Sequence, residues 1–525
     1  MSTPAPPTAI PWLGLLGVLM GAFISTLNGR LSSYGLADIR GAVSAGYDEG
    51  AWITTAQTAA QMLITLPAVW MGATFGPRRV LIAAALAFAL ISWLTPYSPN
   101  LSTLLTMQVF GGLASGCFIP LIVSFVVLNT PPKYWAFGIA VYALNLELSL
   151  NISASLEGWY VEHHSWRWIF WQNVPLALLM ALCLWRGTRV TPITTRQMPD
   201  LFGFAAGGVG LALLYAALDQ GNRLDWLNSG VIWGLLLAAA VLLAAFFMHE
   251  ARTSNPLLNL QVLYRPPLPS LLLLVGFLRL TITATAFLIP LYLGVVRGFR
   301  DLEVGQTLIW IAAPQLIFCP LAALMLRRSD ARLVASIGFI FVSVACLMVA
   351  YNLTPLWGSY QFLPSSLLQA LGQSFGLSGI VFLVVLHANP QDALTFGAAL
   401  QAARLLGGEI GTAFVTTMAR VREQVASNLI GQHVQVGDAR VIQRVRAYGA
   451  ATTRVADPVA ALARGERVLG NVVQAAATTQ AVMDVFVIVA FLTALALLFL
   501  IFRPASPVGP ASPPPLFPAR EVKPP

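Results

Sequence analysis

Fourteen long, mostly apolar stretches follow one another along almost the whole of this 525-residue chain, and that repetition constrains its fold more than any other feature. In hydrocarbon every backbone N–H and C=O must be satisfied within the protein, so a chain crosses a bilayer only as helices or as a closed barrel. These runs are too long for barrel strands and lack strict alternation. Each is close to the length of a spanning helix, which needs about 20 apolar residues. They cover approximately 12–33, 51–72, 80–96, 104–127, 135–158, 168–186, 200–219, 230–248, 268–294, 304–326, 333–352, 363–387, 395–419 and 481–502. Charged residues make up 10% of the chain, against about 25% in soluble domains. The deficit extends over the full length and excludes a soluble enzyme carrying one anchor.

The net charge of +9 does not point to nucleic acid, because the basic residues form no contiguous patch. Arg78–Arg79, Lys133, Arg186/Arg189/Arg196, Arg252/Arg265, Arg327/Arg328/Arg332 and Arg503 all fall on one side of the predicted topology. The positive-inside rule makes that side cytoplasmic, with both termini inside. The connection 420–480 then lies outside, despite Arg440, Arg444, Arg446, Arg454, Arg464 and Arg467. A connection of that length is largely exempt from the charge rule, and part of it reads as an amphipathic helix. The N-terminal MSTPAPPTAIP lacks a basic region and a cleavage site, so no removable leader is expected. The tail 504–525 is proline-rich and is expected to be disordered.

An even number of spans with both ends inside suggests two parallel six-helix repeats around a central pair. The expected division is an N-terminal bundle at 1–190, two additional helices at 191–266 and a C-terminal bundle at 267–503. Span five then corresponds to span thirteen, and span one to span nine. Under this pairing Glu147 matches Glu409, and Arg30 matches Arg279. Helical rise places Glu147, Glu409 and Arg279 near the midplane, with Arg30 further out. Ionisable residues at such depth are costly and mark ion or substrate pathways by default.

Desolvation penalises the charged form of a carboxylate, so Glu147 and Glu409 are the candidates for proton coupling. A neighbouring arginine acts in the opposite direction, and an Arg–Glu pair that merely locks two helices is the competing reading. Arg279 and Arg404 are candidate cavity residues, as are Tyr142 and Asn151 beside Glu147. Glu157 reads as a solvated helix end, and Asp38 with Arg40 as an exposed outer pair. The four cysteines fall in apolar runs without a CxxC spacing, and the histidines lack metal-ligand spacing. No GxxxxGK[ST] segment occurs, so ATP is not the expected energy source, and no cofactor, metal or catalytic residue is assigned.

Four motifs carry a resemblance. Ser165-Trp166-Arg167-Trp168-Ile169-Phe170-Trp171-Gln172-Asn173-Val174-Pro175 lies between spans five and six. Leu218-Asp219-Gln220-Gly221, Asp225-Trp226 and Ser229 follow span seven. Asp48-Glu49-Gly50-Ala51-Trp52-Ile53 opens span two, and Arg404-Leu405-Leu406-Gly407-Gly408 with Ile410-Gly411-Thr412 lies in span thirteen. Together they resemble SWRWIFxxNVP, LDxGxxxDW…S, DEGTWV and RxxGGSIGT of the fourteen-span drug:proton antiporters of the major facilitator superfamily, the EmrB/QacA type. The resemblance covers nearly the whole chain. It implies an all-α major facilitator fold and, as the leading function, proton-coupled export of amphipathic small molecules across a bacterial inner membrane. It also implies a periplasmic adaptor and an outer-membrane channel as partners, with the outer connection as a docking place.

The departures bear on specificity. Where the family has an aspartate in span one, this chain has Asn28, with Arg30 two residues on, and both are further candidates for the substrate cavity. The gating loop after span two keeps Gly72, Gly76, Arg78 and Arg79 but has Ala73 at the acidic position. Gln108 stands where span four usually carries arginine, and Glu147, Asn151 and Glu157 replace a glycine- and proline-rich signature in span five. A cavity containing Arg30, Arg279 and Arg404 suits an anionic or weak-acid solute. Two other functions remain open at this point: an organic-anion uptake permease, and a membrane sensor or structural protein that does not transport.

Overall fold

The computed structural model describes residues 12–129, 134–188, 200–253, 257–258, 260–264, 266–387, 393–435, 437–451 and 458–502. The readings made for the N-terminal segment, Lys133, Arg189, Arg196, Arg265, Arg454, Arg503 and the tail fall outside these residues. Among the described residues there are helices and turns but no strand. The first half contains α1 (Trp12–Tyr34), α2 (Trp52–Phe75), α3 (Pro77–Leu94), α4 (Leu101–Gly116), α5 (Phe118–Asn129), α6 (Trp135–His163) and α7 (Asn173–Gly187). The central pair is α8 (Gly210–Gly221) and α9 (Gly230–Arg252). The second half contains α10 (Leu268–Arg297), α11 (Asp301–Leu326), α12 (Ala331–Asn352), α13 (Leu363–Leu386), α14 (Ala393–Gly431), α15 (Ala439–Ala450) and α16 (Pro458–Ile501).

Local chemistry sets several boundaries. Asn100 caps α4 by accepting from the Thr103 N–H at 2.9 Å, and Asp330 accepts from Arg332 N–H at 2.8 Å ahead of α12. Between α2 and α3 the chain turns at Gly76, whose φ of 85° disfavours a side chain, and Pro77 opens the next helix. Thirteen helices among the described residues are long and apolar enough to span a membrane. The fourteenth expected span, 395–419, is present inside α14, but its charged residues make it less apolar than the others.

The long outer loop expected at 420–480 is a correction. Most of it continues the neighbouring helices: α14 runs on to Gly431, and α16 starts at Pro458. Together with α15 they form a three-helix cap, where Gly465 permits α16 to meet the Val445 backbone of α15. Helical continuation satisfies backbone groups internally, which a loop of this length would leave to water.

The halves meet through two element pairs that the repeat makes equivalent, α6 against α11 and α14 against α2 with α5. At the expected outer end, α6 and α11 approach so closely that a Cβ on Gly305 would lie 2.6 Å from the Ser155 nitrogen. At the opposite end, a Cβ on Gly397 of α14 would lie 2.2 Å from the Pro120 oxygen of α5. The helices are therefore drawn together both above and below the centre. Within the second half, Gly407 meets the Gly276 backbone, so the glycine-rich segment serves close α10–α14 packing.

Gly305→Val is expected to destabilise this arrangement by about 1–3 kcal/mol through overpacking. The thermal midpoint in detergent should fall by several degrees. Gly294→Ala, at a position with no neighbour within 4 Å of an added Cβ, serves as the unaffected control.

Candidate functional site

The centre of the molecule holds a polar cavity of about 170 Å³, lined by α1, α2, α6, α8, α10 and α14. Its charged residues fall in two layers. At about 1.5 Å per residue, Glu147, Arg279 and Arg404 lie ~17 Å along α6, α10 and α14. Arg30 and Glu409 lie ~24–27 Å along α1 and α14, and Asp219 lies at a similar depth from Leu201. This corrects the depth expected for Glu409, which shares the outer layer with Arg30.

In the inner layer Arg279 Nη1 donates to Glu147 Oε1 at 2.9 Å, and both side chains are buried. The pair joins α6 of one half to α10 of the other. Arg404 faces the same carboxylate, and its guanidinium is oriented by Gln401 Oε1, which accepts from Nε at 3.2 Å and Nη2 at 3.0 Å. One turn beyond Glu147, Asn151 Nδ2 donates to Gln373 Oε1 at 3.2 Å, and Gln315 Nε2 donates to the same oxygen at 2.9 Å. This amide cluster ties α6 to α11 and α13. Gln315 and Gln373 were not anticipated, although a glutamine inside an apolar run is itself a signal of interhelical bonding.

Arg30 and Glu409 both line the cavity in the outer layer, but among the described residues no hydrogen bond or ion pair joins them. Arg30 belongs to the first half and Glu409 to the second, so this couple faces across the interface without closing it. The repeat pairing makes spans one and nine equivalent, and spans five and thirteen. The Arg30–Glu409 and Arg279–Glu147 couples are therefore related positions with different depths. Tyr215 of α8 faces Glu409, and Asp219 lines the same cavity. Helix α8 of the central pair thus contributes directly to the cavity wall, which the sequence reading did not foresee.

The four motifs act as joints around this centre. The Asp219 carboxylate accepts from the Thr55 hydroxyl, and Gln220 Nε2 donates to the Ala51 carbonyl at 3.3 Å. Arg223 pairs with Asp48 at 2.7 Å. The LDQG and DEGAWI segments are accordingly one contact between α8 and α2. Asp225 and Trp226 occupy left-handed conformations, with φ of 62° and 49°. Such non-glycine conformations cost on the order of 1–3 kcal/mol each. Here the turn directs the Trp226 indole N–H to Thr417 Oγ1 at 2.8 Å and Asp225 to Arg420 at 3.2 Å, both on α14. The Asn228 amide and the Arg420 guanidinium hold the Asp225 carboxyl below the usual carboxylate range.

The remaining candidates separate. Asn28 is buried outside the cavity wall and accepts from Asn173 Nδ2 at 2.7 Å, which links span one to the NVP segment. Tyr142 is buried facing Arg404 and Arg279. Around the α2–α3 turn, Gly72 at the end of α2 packs beneath Leu121, while Arg78 at the start of α3 donates to the Trp185 carbonyl at 2.5 Å and so caps α7. Arg79 borders an apolar groove formed by α2, α3 and α4. Two further expectations are corrected. Glu157 is only 2% exposed, enclosed by Gly35 and Ile169 rather than solvated, and Arg40 stacks on Tyr47 instead of pairing with Asp38. Both follow from the short helix Leu36–Ala42, which folds back over the ends of the spans.

Chemically, the centre can exchange ionic partners. Protonating a carboxylate in either couple removes one of the attractions that hold the two halves together. Among the described residues no cluster of three or more potential metal ligands occurs.

Residues 18–412 match the family model described as Major Facilitator Superfamily. The chain is 24% identical over 421 residues to the multidrug export protein EmrB of Haemophilus influenzae, covering 80% of this chain and 82% of that protein. It is 23% identical over 432 residues to the fatty acid resistance protein FarB of Neisseria gonorrhoeae, covering 81% and 84%. Among solved structures, the human organic anion transporter MFSD10 superposes with a TM-score of 0.58 at 16% identity, covering 94% of this chain and 100% of that one. The xylose transporter XylE from E. coli gives 0.54 at 12% identity, covering 95% and 98%. With three quarters of its length matched by the family model, this chain belongs to the major facilitator superfamily.

Proposed function

We propose that the protein is a proton-coupled secondary exporter of amphipathic small molecules, working by alternating access in a bacterial inner membrane. The observation that carries this reading is the buried Glu147–Arg279 pair, which crosses between the halves with Arg279 at the cavity wall and close helix contacts on either side of the centre. Relatives named as export and resistance proteins over about four fifths of the chain support the same direction. The proposed domain division is 1–190, 191–266 and 267–503, with the two outer blocks as the moving bundles. Glu147 and Glu409 are the proposed proton carriers, and Arg30, Arg279, Arg404, Tyr142 and Asn151 the proposed surroundings of the solute. Asn28 is assigned to the α1–Asn173 joint. Gly72, Gly76, Arg78 and Arg79 form the proposed cytoplasmic hinge between α2 and α3.

Proton release to one side restores the Glu147 charge and the pairing with Arg279. Protonation from the other side neutralises it and loosens the interface. The groups facing Glu147 are Arg279 of α10, Arg404 of α14, Arg30 of α1 and Cys319 of α11. Glu147→Gln is expected to preserve folded protein while abolishing proton-driven efflux in inverted vesicles. Retained proton-driven accumulation in that variant would sink the assignment. Arg279→Ala leaves a buried unpaired carboxylate and should cost about 3–5 kcal/mol, so it should express poorly. The double variant Glu147→Gln/Arg279→Gln should recover expression without recovering transport.

Both termini are proposed to be cytoplasmic and the α14–α15–α16 cap periplasmic, where a one-span adaptor leading to an outer-membrane channel would dock. The native cysteines are all buried, so single-cysteine labelling has a low background. Arg440→Cys should react with an impermeant maleimide added to whole spheroplasts, and Arg328→Cys only after the membrane is opened. The reverse pattern would invert the topology.

A further inference from the structure

Resting on the transport reading above, we infer that Arg279 and Arg404 form a clamp for a carboxylate on an amphipathic solute, and that Glu147 is the internal anion this carboxylate displaces. The inner layer carries more positive than negative charge. Glu147, whose Oε2 is buried without a partner among the described residues, faces Arg279, Arg404 and, from the outer layer, Arg30. Arg279 spends Nη1 on Glu147, while its Nε is buried and finds no partner among the described residues. Gln401 fixes two nitrogens of Arg404, leaving Nη1 only a long contact of 3.5 Å to the Thr26 hydroxyl. The Tyr142 hydroxyl and Gln401 Nε2 are also buried without a partner among the described residues.

These donors come from three helices, α6, α10 and α14, and Arg279, Arg404 and Thr26 line the cavity. Buried polar groups of this kind are expensive unless a ligand satisfies them. A carboxylate is the ligand with matching chemistry: it has no donors when ionised, and guanidinium groups bind it through paired, charge-assisted bonds. A cationic solute entering this layer meets two arginines and a carboxylate with Oε1 engaged by Arg279 and only Oε2 open. The excess of acid lies in the outer layer, about two turns further along, at Glu409 and Asp219.

The specificity follows from Arg404 in particular. Arg279 has a resident counter-ion, so it supplies an attractive charge only as Glu147 is neutralised or displaced. Arg404 has no carboxylate of its own at hydrogen-bonding distance among the described residues. It is also held rigidly by Gln401, so a carboxylate gains a pre-oriented partner.

The test uses the full-length protein in lipid nanodiscs and equilibrium binding of three probes with the same chain: octanoate, octyltrimethylammonium and octanamide. Octanoate should bind about tenfold or more tightly than the other two. Arg404→Gln should weaken octanoate about tenfold and leave octanamide unchanged, with partial recovery in Arg404→Lys. Tyr142→Phe, which keeps the ring and removes one donor, should weaken octanoate about threefold and tests the clamp even if the arginine variants fail to fold. Glu147→Gln frees Arg279 and should tighten octanoate. Equal or tighter binding of the cation, or octanoate affinity indifferent to both Arg404→Gln and Tyr142→Phe, overturns the clamp. Proton-driven efflux without octanoate binding removes the clamp alone. Octanoate binding without proton-driven flux of any solute supports the clamp and removes the transport reading alone.

Discussion

A single buried ion pair, Arg279 to Glu147, joins the two halves of this molecule where their interface is most deeply removed from water. Taking two charges out of water is costly, and the attraction between them offsets that cost only while both stay in place. The pair therefore sets a condition on the surrounding structure. The helices that carry it must stay close enough to keep the charges matched, and the nearby amides of Asn151, Gln315 and Gln373 must satisfy one another. Glycine contacts at the two ends of the interface hold the helices at that distance, with Gly305 against Ser155 on one side and Gly397 against Pro120 on the other.

The same arrangement explains why a transporter of this family can lack its usual intramembrane residues. Asn28, where the motif resemblance led to the expectation of an acid, is absorbed into a neutral hydrogen bond with Asn173. The charges of the inner layer stand on α6, α10 and α14. Charge is distributed unevenly, with cations in excess in the inner layer and acids in excess in the outer one. The central helix α8 takes part in this distribution, because Tyr215 and Asp219 complete the outer layer. An insertion between two bundles has thus become part of the wall of the cavity, secured to α2 and α14 by the motifs on either side of it.

Much of the architecture was legible in the sequence because the bilayer imposes a length and an apolarity on every span. The positions of Glu147, Glu409, Arg30, Arg279 and Arg404 stood out for the same reason: each is a charge within a run that otherwise suits hydrocarbon. Glu157 was misread as solvated because distance from the midplane says nothing about a short helix that folds over the end of the span. The outer connection was read as helical only in part because its polar composition reflects exposure to water, and an exposed helix has that composition too. Gln315 and Gln373 were passed over because an uncharged amide barely disturbs the hydropathy of its run.

The sequence by itself determined that the chain crosses a membrane many times, which family motifs it carries and which residues are charged at depth. Only the tertiary structure decided how those charges combine. The repeat suggested that Glu147 matches Glu409 and that Arg30 matches Arg279, yet matching positions in a two-fold arrangement are not partners. Arg279 instead pairs with Glu147 of the opposite half, while Arg30 and Glu409 only share the cavity wall. The reason is geometric: hydropathy reports the depth of a residue along its own helix, whereas pairing depends on which face of that helix meets which neighbour.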